Sequence, residues 1–101
     1  MSKSTYKRML QSQADHLAAR KRKVEAAMTA AGLSWETGGY PVNPTETQAY
    51  RSGCQRGRHW AYLTACEGRV ISERWDLADS TAAGNGETDG WNAVAKALSG
   101  I

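Results

Sequence analysis

The chain has 101 residues, of which 41% are hydrophobic and 23% are charged, and its formal net charge is +3. This length provides one domain with one core, and the composition argues against a chain that is disordered throughout. The first thirty residues contain no long apolar run, which argues against a signal peptide and a membrane span, so we expect a cytoplasmic protein. We expect residues 1–101 to form a single domain, in which a basic helical segment (1–31) precedes a compact α+β part (32–101).

Charge is distributed unevenly between these two parts. Residues 1–31 hold seven Lys and Arg against two Asp and Glu, a net charge of +5, whereas residues 32–101 hold six against eight, a net charge of −2. This asymmetry favours a polyanionic partner for the first third of the chain, although a solvated helix can carry the same charges.

Residues 4–31 predict a long helix, because no Gly or Pro interrupts them and helix-favouring residues dominate. Ser4 is the expected N-cap and Gly32 the expected C-terminal cap. Such a helix, about 40 Å long, exceeds the diameter of a domain of this size. It therefore breaks near Ala18-Ala19, projects, or packs against a second copy in a homodimer through the 10–31 stripe. The stripe is spaced alternately by four and three residues and consists of Leu10, Ala14, Leu17, Lys21, Val24, Met28 and Ala31.

Residues 32–43 predict a connecting loop, which we expect Trp35 and Tyr40 to pin to the core. The sequence Asn43-Pro44-Thr45-Glu46 then supplies the N-cap, the first-turn proline and the glutamate of a helix start. We expect this second, short helix to end by Gly57.

Residues 58–77 predict an antiparallel β-hairpin, because residues alternate in strand fashion on both sides of a turn at Glu67-Gly68. A two-residue turn would place Trp60 opposite Trp75, whereas a three-residue turn would shift the register, and both remain open. Because two strands alone are marginally stable, we expect the helices to cover one face of the hairpin.

Residues 78–90 are rich in glycine and small polar residues and predict a mobile loop. Asp89 then caps a short final helix whose apolar face contains Trp91, Val94 and Leu98. The expected fold class is therefore α+β, with a long N-terminal helix, a short second helix, an antiparallel β-hairpin and a short C-terminal helix (α-α-β-β-α).

Metal binding and catalysis have little support in the sequence. None of the candidate ligands forms the closely spaced pair that a structural zinc site uses, so two thiols and two surface histidines are the better interpretation. Gly84-Asn85-Gly86-Glu87 lacks the lysine of a phosphate-binding loop. We therefore expect no enzyme, no cofactor and no metal site. The candidate ligands are His16, Cys54, His59 and Cys66.

Two basic clusters are more informative, one in the first helix and one around the aromatic residues that follow it. Basic side chains beside exposed aromatic rings are typical of surfaces that bind single-stranded nucleic acid or a nucleoprotein. The alternative is a solvated helical turn beside aromatic residues that belong to the core. The residues that we expect to contact a partner are Arg20, Lys21, Arg22, Lys23, Tyr50, Arg51, Arg56, Arg58, Trp60 and Arg74.

In its general build, one compact domain with no catalytic signature and an unusual α+β order of elements, the chain resembles accessory proteins of phages and mobile elements. Anti-CRISPR proteins and other anti-defence inhibitors have this build. The resemblance covers the build alone and assigns no residue. It implies a non-catalytic inhibitor that docks on a host protein or nucleoprotein complex. Direct nucleic-acid binding by the basic helix is the alternative, and a small enzyme or metal protein is a third.

Overall fold

The computed structural model describes residues 3–39, 41–75 and 81–101, and the regular secondary structure within them is helical. The helices are α1 (Lys3–Ala30), α2 (Glu46–Cys66) and α3 (Ala82–Leu98). The predicted α+β fold class is therefore wrong. The predicted β-hairpin is wrong as well, because these described ranges contain no strand.

The predicted first strand is the second half of α2. This helix continues through Gly57, where we expected it to end, and reaches Cys66. Its buried face includes Gly53, Gly57, Ala61 and Ala65. A repeat of four residues is helical, so this row of small residues outweighs the strand-like alternation around Trp60.

The start of α2 also differs from the prediction. Its N-cap is Thr45, which forms a capping box with Gln48: the hydroxyl of Thr45 accepts from the Gln48 amide at 3.2 Å, and Gln48 Oε1 accepts from the Thr45 amide at 3.0 Å. Asn43, the expected N-cap, instead has a positive φ of 51° in the preceding turn. Asn43 and Thr45 can both cap a helix through a side-chain oxygen. Thr45 together with Gln48 satisfies two backbone amides at once.

Most of the predicted 78–90 loop is helical. α3 begins at Ala82, after the hydroxyl of Thr81 accepts a hydrogen bond from the Gly84 amide at 3.0 Å. Asp89, the expected cap of a short final helix, lies within α3. Glycine disfavours helices, which is why the sequence pattern predicts a loop. Residues 76–80, which end the predicted hairpin and begin the predicted loop, lie outside the described residues.

Two glycines of α2 bring its backbone against the backbone of α3. A Cβ atom added to Gly53 would lie 2.2 Å from the carbonyl oxygen of Ala83, and one added to Gly57 would lie 2.2 Å from that of Glu87. No side chain fits at that distance, so glycine is what permits the approach. Because the contacting residue numbers increase together, the two helices run parallel.

The contact is reciprocal, since α3 also contributes two glycines spaced by four residues. A Cβ atom on Gly86 would lie 2.2 Å from the carbonyl oxygen of Tyr50, and one on Gly90 would lie 2.2 Å from that of Cys54. Small residues spaced in this way on both helices allow close packing and Cα–H contacts to carbonyl oxygens, as in paired membrane helices.

None of the described helices has the length and apolar character to cross a membrane.

The core lies where the C-terminal half of α1 meets α2 and α3. Trp35 of the connecting loop stacks on Tyr62 with ring centroids 5.4 Å apart, which confirms that Trp35 pins this loop to the core. Tyr40, the other residue expected to do so, lies outside the described residues. The buried core consists of Val24, Met28, Ala61, Tyr62, Ala65, Trp91, Val94 and Leu98.

Residues 71–75, which we call the strap, lie along α3 in place of the predicted second strand. Asn92 holds the strap in both directions: its Oδ1 accepts from the Arg74 amide at 2.7 Å, and its Nδ2 donates to the Arg74 carbonyl at 3.0 Å. The indole of Trp91 donates to the Ser72 carbonyl at 2.7 Å. Side chains of a helix thus supply the hydrogen bonds that a neighbouring strand would have supplied.

Replacing Asn92 by alanine is expected to release the strap. The change removes two hydrogen bonds at a largely buried site and should cost about 1–3 kcal/mol in the free energy of unfolding. Urea unfolding measures that cost, and amide hydrogen exchange at Arg74 should accelerate. Asn85→Ala, at an exposed position of the same helix, is the matched control. Equal stability of the two variants would contradict this role for Asn92.

α1 is one continuous helix that projects from the body. Its buried residues are Val24 and Met28, near its C-terminal end, and all of residues 3–18 are exposed. The molecule measures 57 × 29 × 24 Å, which reflects this projection. The break near Ala18-Ala19, one of the three alternatives, is therefore absent and the helix projects from the body, whereas pairing with a second copy through the 10–31 stripe stays a prediction.

The two ends of α1 compare differently with the prediction. Gly32 has a φ of 71° and terminates the helix as expected. The amide of Leu33 donates to the Met28 carbonyl at 2.9 Å and the amide of Gly32 donates to the Thr29 carbonyl at 3.0 Å, which is a Schellman motif. Ser4 lies inside the helix, so its prediction as the N-cap is wrong.

Candidate binding surfaces

The second predicted cluster is divided between different faces of the body. Trp60 and Arg74 do come together: the guanidinium of Arg74 lies 5.3 Å from the Trp60 ring centre and 5.5 Å from that of Trp91. Trp60 and Trp91 themselves contact each other with centroids 4.8 Å apart. A cation over aromatic faces is attracted by their negative potential, so Arg74 links the strap to α2 and α3.

Arg56 and Arg58, two residues apart on α2, point to different sides of that helix. The guanidinium of Arg56 pairs with Glu87 of α3 at 2.8 Å. The Nε of Arg58 donates to the carbonyl of Ser34 at 3.0 Å and so holds the connecting loop. Arg58 therefore has a structural contact, and it does not share a surface with Arg56.

Tyr50 is also tied within the α2–α3 pair. Its hydroxyl donates to the carboxylate of Asp89, and this hydrogen bond is the main reason that the pKa of the Tyr50 phenol is raised, with a further contribution from Cys54. Arg51 is exposed on the same helix. Of the predicted residues in this region, Trp60 and Arg74 form one surface, while Tyr50 and Arg58 mainly support the fold.

The cysteine and histidine residues do not assemble a metal site. Among the described residues, no group of three His, Cys, Asp or Glu could hold a metal ion. The Nδ1 of His59 donates to the Trp35 carbonyl at 2.6 Å, so its ring orients the connecting loop. Burial raises the pKa of the Cys66 thiol, which opposes formation of a reactive thiolate there.

The projecting part of α1 presents large apolar side chains to solvent. The stripe that supplies Val24 and Met28 to the core continues outward along the same face of the helix, and Tyr6 also lies on it. Its outer members are uncovered: Tyr6 is 56% exposed, Leu10 is 48% exposed and Leu17 is 42% exposed. One face of α1 is therefore core at one end and open surface at the other.

The predicted basic turn lies at the junction between this projection and the body. The Nε of Arg20 donates to the Ala65 carbonyl at 3.3 Å, which places a cation at the negative C-terminal end of α2. Lys21 lies 4.0 Å from Glu25 on the same helix. Arg22 and Lys23 are exposed. The turn thus combines one structural contact with exposed positive charge.

A cleft with basic side chains lies between α1 and the turn after α2. It has a volume of about 230 Å³ and is lined by no acidic residue. Three of its lining residues are basic and share one face of α1, at spacings of four and three. We call it the basic cleft. Its lining residues are His16, Ala19, Arg20, Lys23, Gly68 and Val70.

The sequence pattern predicted only part of this cleft. Arg20 and Lys23 belong to the predicted basic turn, whereas His16 was expected to be a surface histidine without a role. The spacing of His16, Arg20 and Lys23 is visible in the sequence and indicates a shared face. The opposite wall could not be predicted, because Gly68 and Val70 were expected to lie in a hairpin.

Comparison of the chain with protein-family models, with curated proteins and with solved structures finds no match. The projecting helix, the basic cleft and the Trp60–Arg74 surface are therefore the features from which a function is inferred.

Proposed function

We propose that this chain is a cytoplasmic, non-catalytic binding protein that docks on a nucleoprotein complex of a host. It would act as an inhibitor by occupying a surface of that complex. The observation that carries the proposal is the projecting half of α1, which is exposed over residues 3–18 and bears both apolar and basic side chains. Its docking element is α1, and the body formed by α2 and α3 holds it in place.

The apolar side chains of α1 favour a protein surface in that complex. Monomeric proteins seldom leave a row of large apolar side chains uncovered, and such rows usually mark binding sites. Tyr6, Leu10 and Leu17 lie on one face of a helix at the spacing that fits a hydrophobic groove. The same face of α1 is already buried at Val24 and Met28. A partner's groove that covers the outer residues would therefore lengthen the apolar contact that α1 makes with the body.

The charge of α1 favours a partner that also carries phosphate. Residues 1–31 have a net charge of +5, so the apolar face is flanked by positive side chains. A nucleoprotein offers an apolar groove on its protein and phosphates on its nucleic acid, which suits both sets of residues. A second copy of this chain fits less well, because pairing two α1 helices would place two strongly basic segments side by side.

The paired change Leu10→Ser and Leu17→Ser tests the docking face. Both side chains are exposed, so the variant should fold normally and yet lose partner capture from a host lysate by about tenfold or more, as expected for loss of central apolar contacts. Quantitative pull-down measures the loss, and nuclease treatment of the lysate separates binding to protein from binding through nucleic acid.

Val42→Ser is the matched control for this experiment. Val42 is 89% exposed but lies in the turn before α2, away from α1. It should therefore retain full capture. Undiminished capture by a correctly folded Leu10→Ser/Leu17→Ser variant would contradict docking through α1.

A further inference from the structure

We propose that the basic cleft binds a backbone phosphate of nucleic acid. This inference rests on the proposed function, because it names the site that contacts the nucleic-acid part of the complex. Its basis is a concave site lined by three basic side chains from one helix face, whose other lining residues carry no charge.

The cleft is held in shape by Arg20. Its Nε donates to the Ala65 carbonyl, which fixes the guanidinium between α1 and the end of α2. That bond uses only Nε, and the two terminal nitrogens are the ones that pair with phosphate oxygens in a two-point contact. His16 lies one turn before Arg20 and Lys23 lies one turn after it, so donors of the two neighbouring turns flank the guanidinium.

The opposite wall leaves room for a ligand. Gly68 has no side chain and a φ of 89°, a conformation that suits glycine and lets the chain turn sharply after α2. Val70 beyond it lines the cleft and is 93% exposed. A volume of about 230 Å³ accommodates a phosphate group together with its ester oxygens and bound water.

The neighbouring acidic groups face other partners. Glu67, beside Gly68, lies 3.9 Å from Arg69, and Glu25 accepts a hydrogen bond from the Tyr62 hydroxyl at 2.8 Å. Positive charge therefore prevails in the cleft, and an anion entering it meets attractive side chains on one wall and neutral groups on the other.

The length of α1 favours a phosphate that belongs to a polymer. Lys7 and Arg8 lie farther out along the helix, about 12–24 Å from the cleft residues at 1.5 Å per residue. A strand seated in the cleft can follow α1 and meet these charges in turn. A free phosphate ion contacts the cleft alone. Charges outside the cleft, such as that of Lys7, should therefore affect the affinity for a nucleic-acid strand more than the affinity for inorganic phosphate.

Binding of a fluorescent single-stranded DNA of about 12 nucleotides at about 50 mM salt, followed by anisotropy, tests this site. Lys23→Gln should weaken binding about tenfold, whereas Lys7→Gln, which removes the same charge outside the cleft, should weaken it about twofold. Lys23→Arg should restore binding. Both lysines are exposed, and thermal unfolding verifies that the fold is unchanged.

A second experiment follows the NMR signals of the histidine rings. Titration with inorganic phosphate, followed by NMR, should shift the ring signals of His16 while leaving those of His59 in place. Replacing single DNA phosphates by neutral methylphosphonates should reveal one position whose loss weakens binding by wild-type protein but not by Lys23→Gln.

Equal effects of Lys23→Gln and Lys7→Gln would overturn the cleft site, even if the DNA binds. Absence of DNA binding would overturn it as well. Both results differ from failure of the proposed function, which appears as undiminished capture by the Leu10→Ser/Leu17→Ser variant.

Discussion

Gly57→Ala should destabilise the protein by about 3 kcal/mol or more, and lower the melting temperature by about 15 °C, although alanine is intrinsically the better helix former. The new methyl carbon would lie 2.2 Å from the Glu87 carbonyl oxygen and 2.9 Å from the Trp91 amide nitrogen. Both contacts are with backbone, which has no rotamer to change, so α2 and α3 would have to move apart. Thermal and urea unfolding measure the effect.

Gly39→Ala is the matched control for this substitution. A Cβ atom at Gly39 would have no atom within 4 Å, and its φ is not positive. Alanine there should be neutral or stabilise the protein by about 0.4–1 kcal/mol, because it restricts the unfolded chain. If Gly57→Ala were as stable as Gly39→Ala, the backbone contact between α2 and α3 would be refuted.

Met28→Ala should cost about 2–5 kcal/mol, because it removes a fully buried side chain and leaves a cavity where α1 meets the body. Met28 is one of the largest side chains with no exposure. The loss should appear in the free energy of unfolding and should also loosen α1, whose other buried residue is Val24.

Leu10→Ala, on the same stripe of α1, is the internal comparison for Met28→Ala. Leu10 is 48% exposed, and exposed substitutions commonly change stability by no more than about 0.5 kcal/mol. A large destabilisation of the isolated protein by Leu10→Ala would show that the outer stripe is covered in solution, for example by a second copy. Light scattering over a range of concentrations would identify that copy.

The extent of α1 could be predicted because local rules decide it. Its interior contains no helix breaker, and the Schellman motif at Gly32 uses a glycine to end it. The stripe from Leu10 to Ala31 also predicted a helix too long for one body. The pattern did not reveal which half is buried, because that depends on where α2 and α3 end.

The α2–α3 pair could not be predicted by the same rules. Glycine suggests turns when each residue is judged by its own preference, and four glycines sit in the interface of these helices. Their meaning appears only when Gly53 and Gly57 are compared with Gly86 and Gly90 as two matching repeats. Strand propensity around Trp60 then favoured a hairpin, whereas tertiary contact determined a helix.

The candidate site was predicted in part for a similar reason. Arg20 to Lys23 were chosen by charge, and two of them, Arg20 and Lys23, line the basic cleft. The grouping of Arg56 with Arg58 assumed that neighbours in sequence share a surface, which a helix does not allow two residues apart. His16 could not be assigned to the cleft, because the hairpin prediction placed the residues of the opposite wall elsewhere.

The exposed half of α1 has a thermodynamic consequence, because helices of this length without tertiary support sit near the midpoint of the helix–coil equilibrium. The buried end at Val24 and Met28 provides the helical nucleus from which this half propagates. Within the exposed half, the side chain of Gln11 donates a hydrogen bond to Asp15 at 3.0 Å. Fraying should therefore increase steadily from Leu17 towards Lys3. Binding a partner through α1 therefore includes the free-energy cost of ordering its N-terminal turns. Ser12→Ala would lower that cost, because alanine favours the helix, and would raise the affinity without a new contact to the partner.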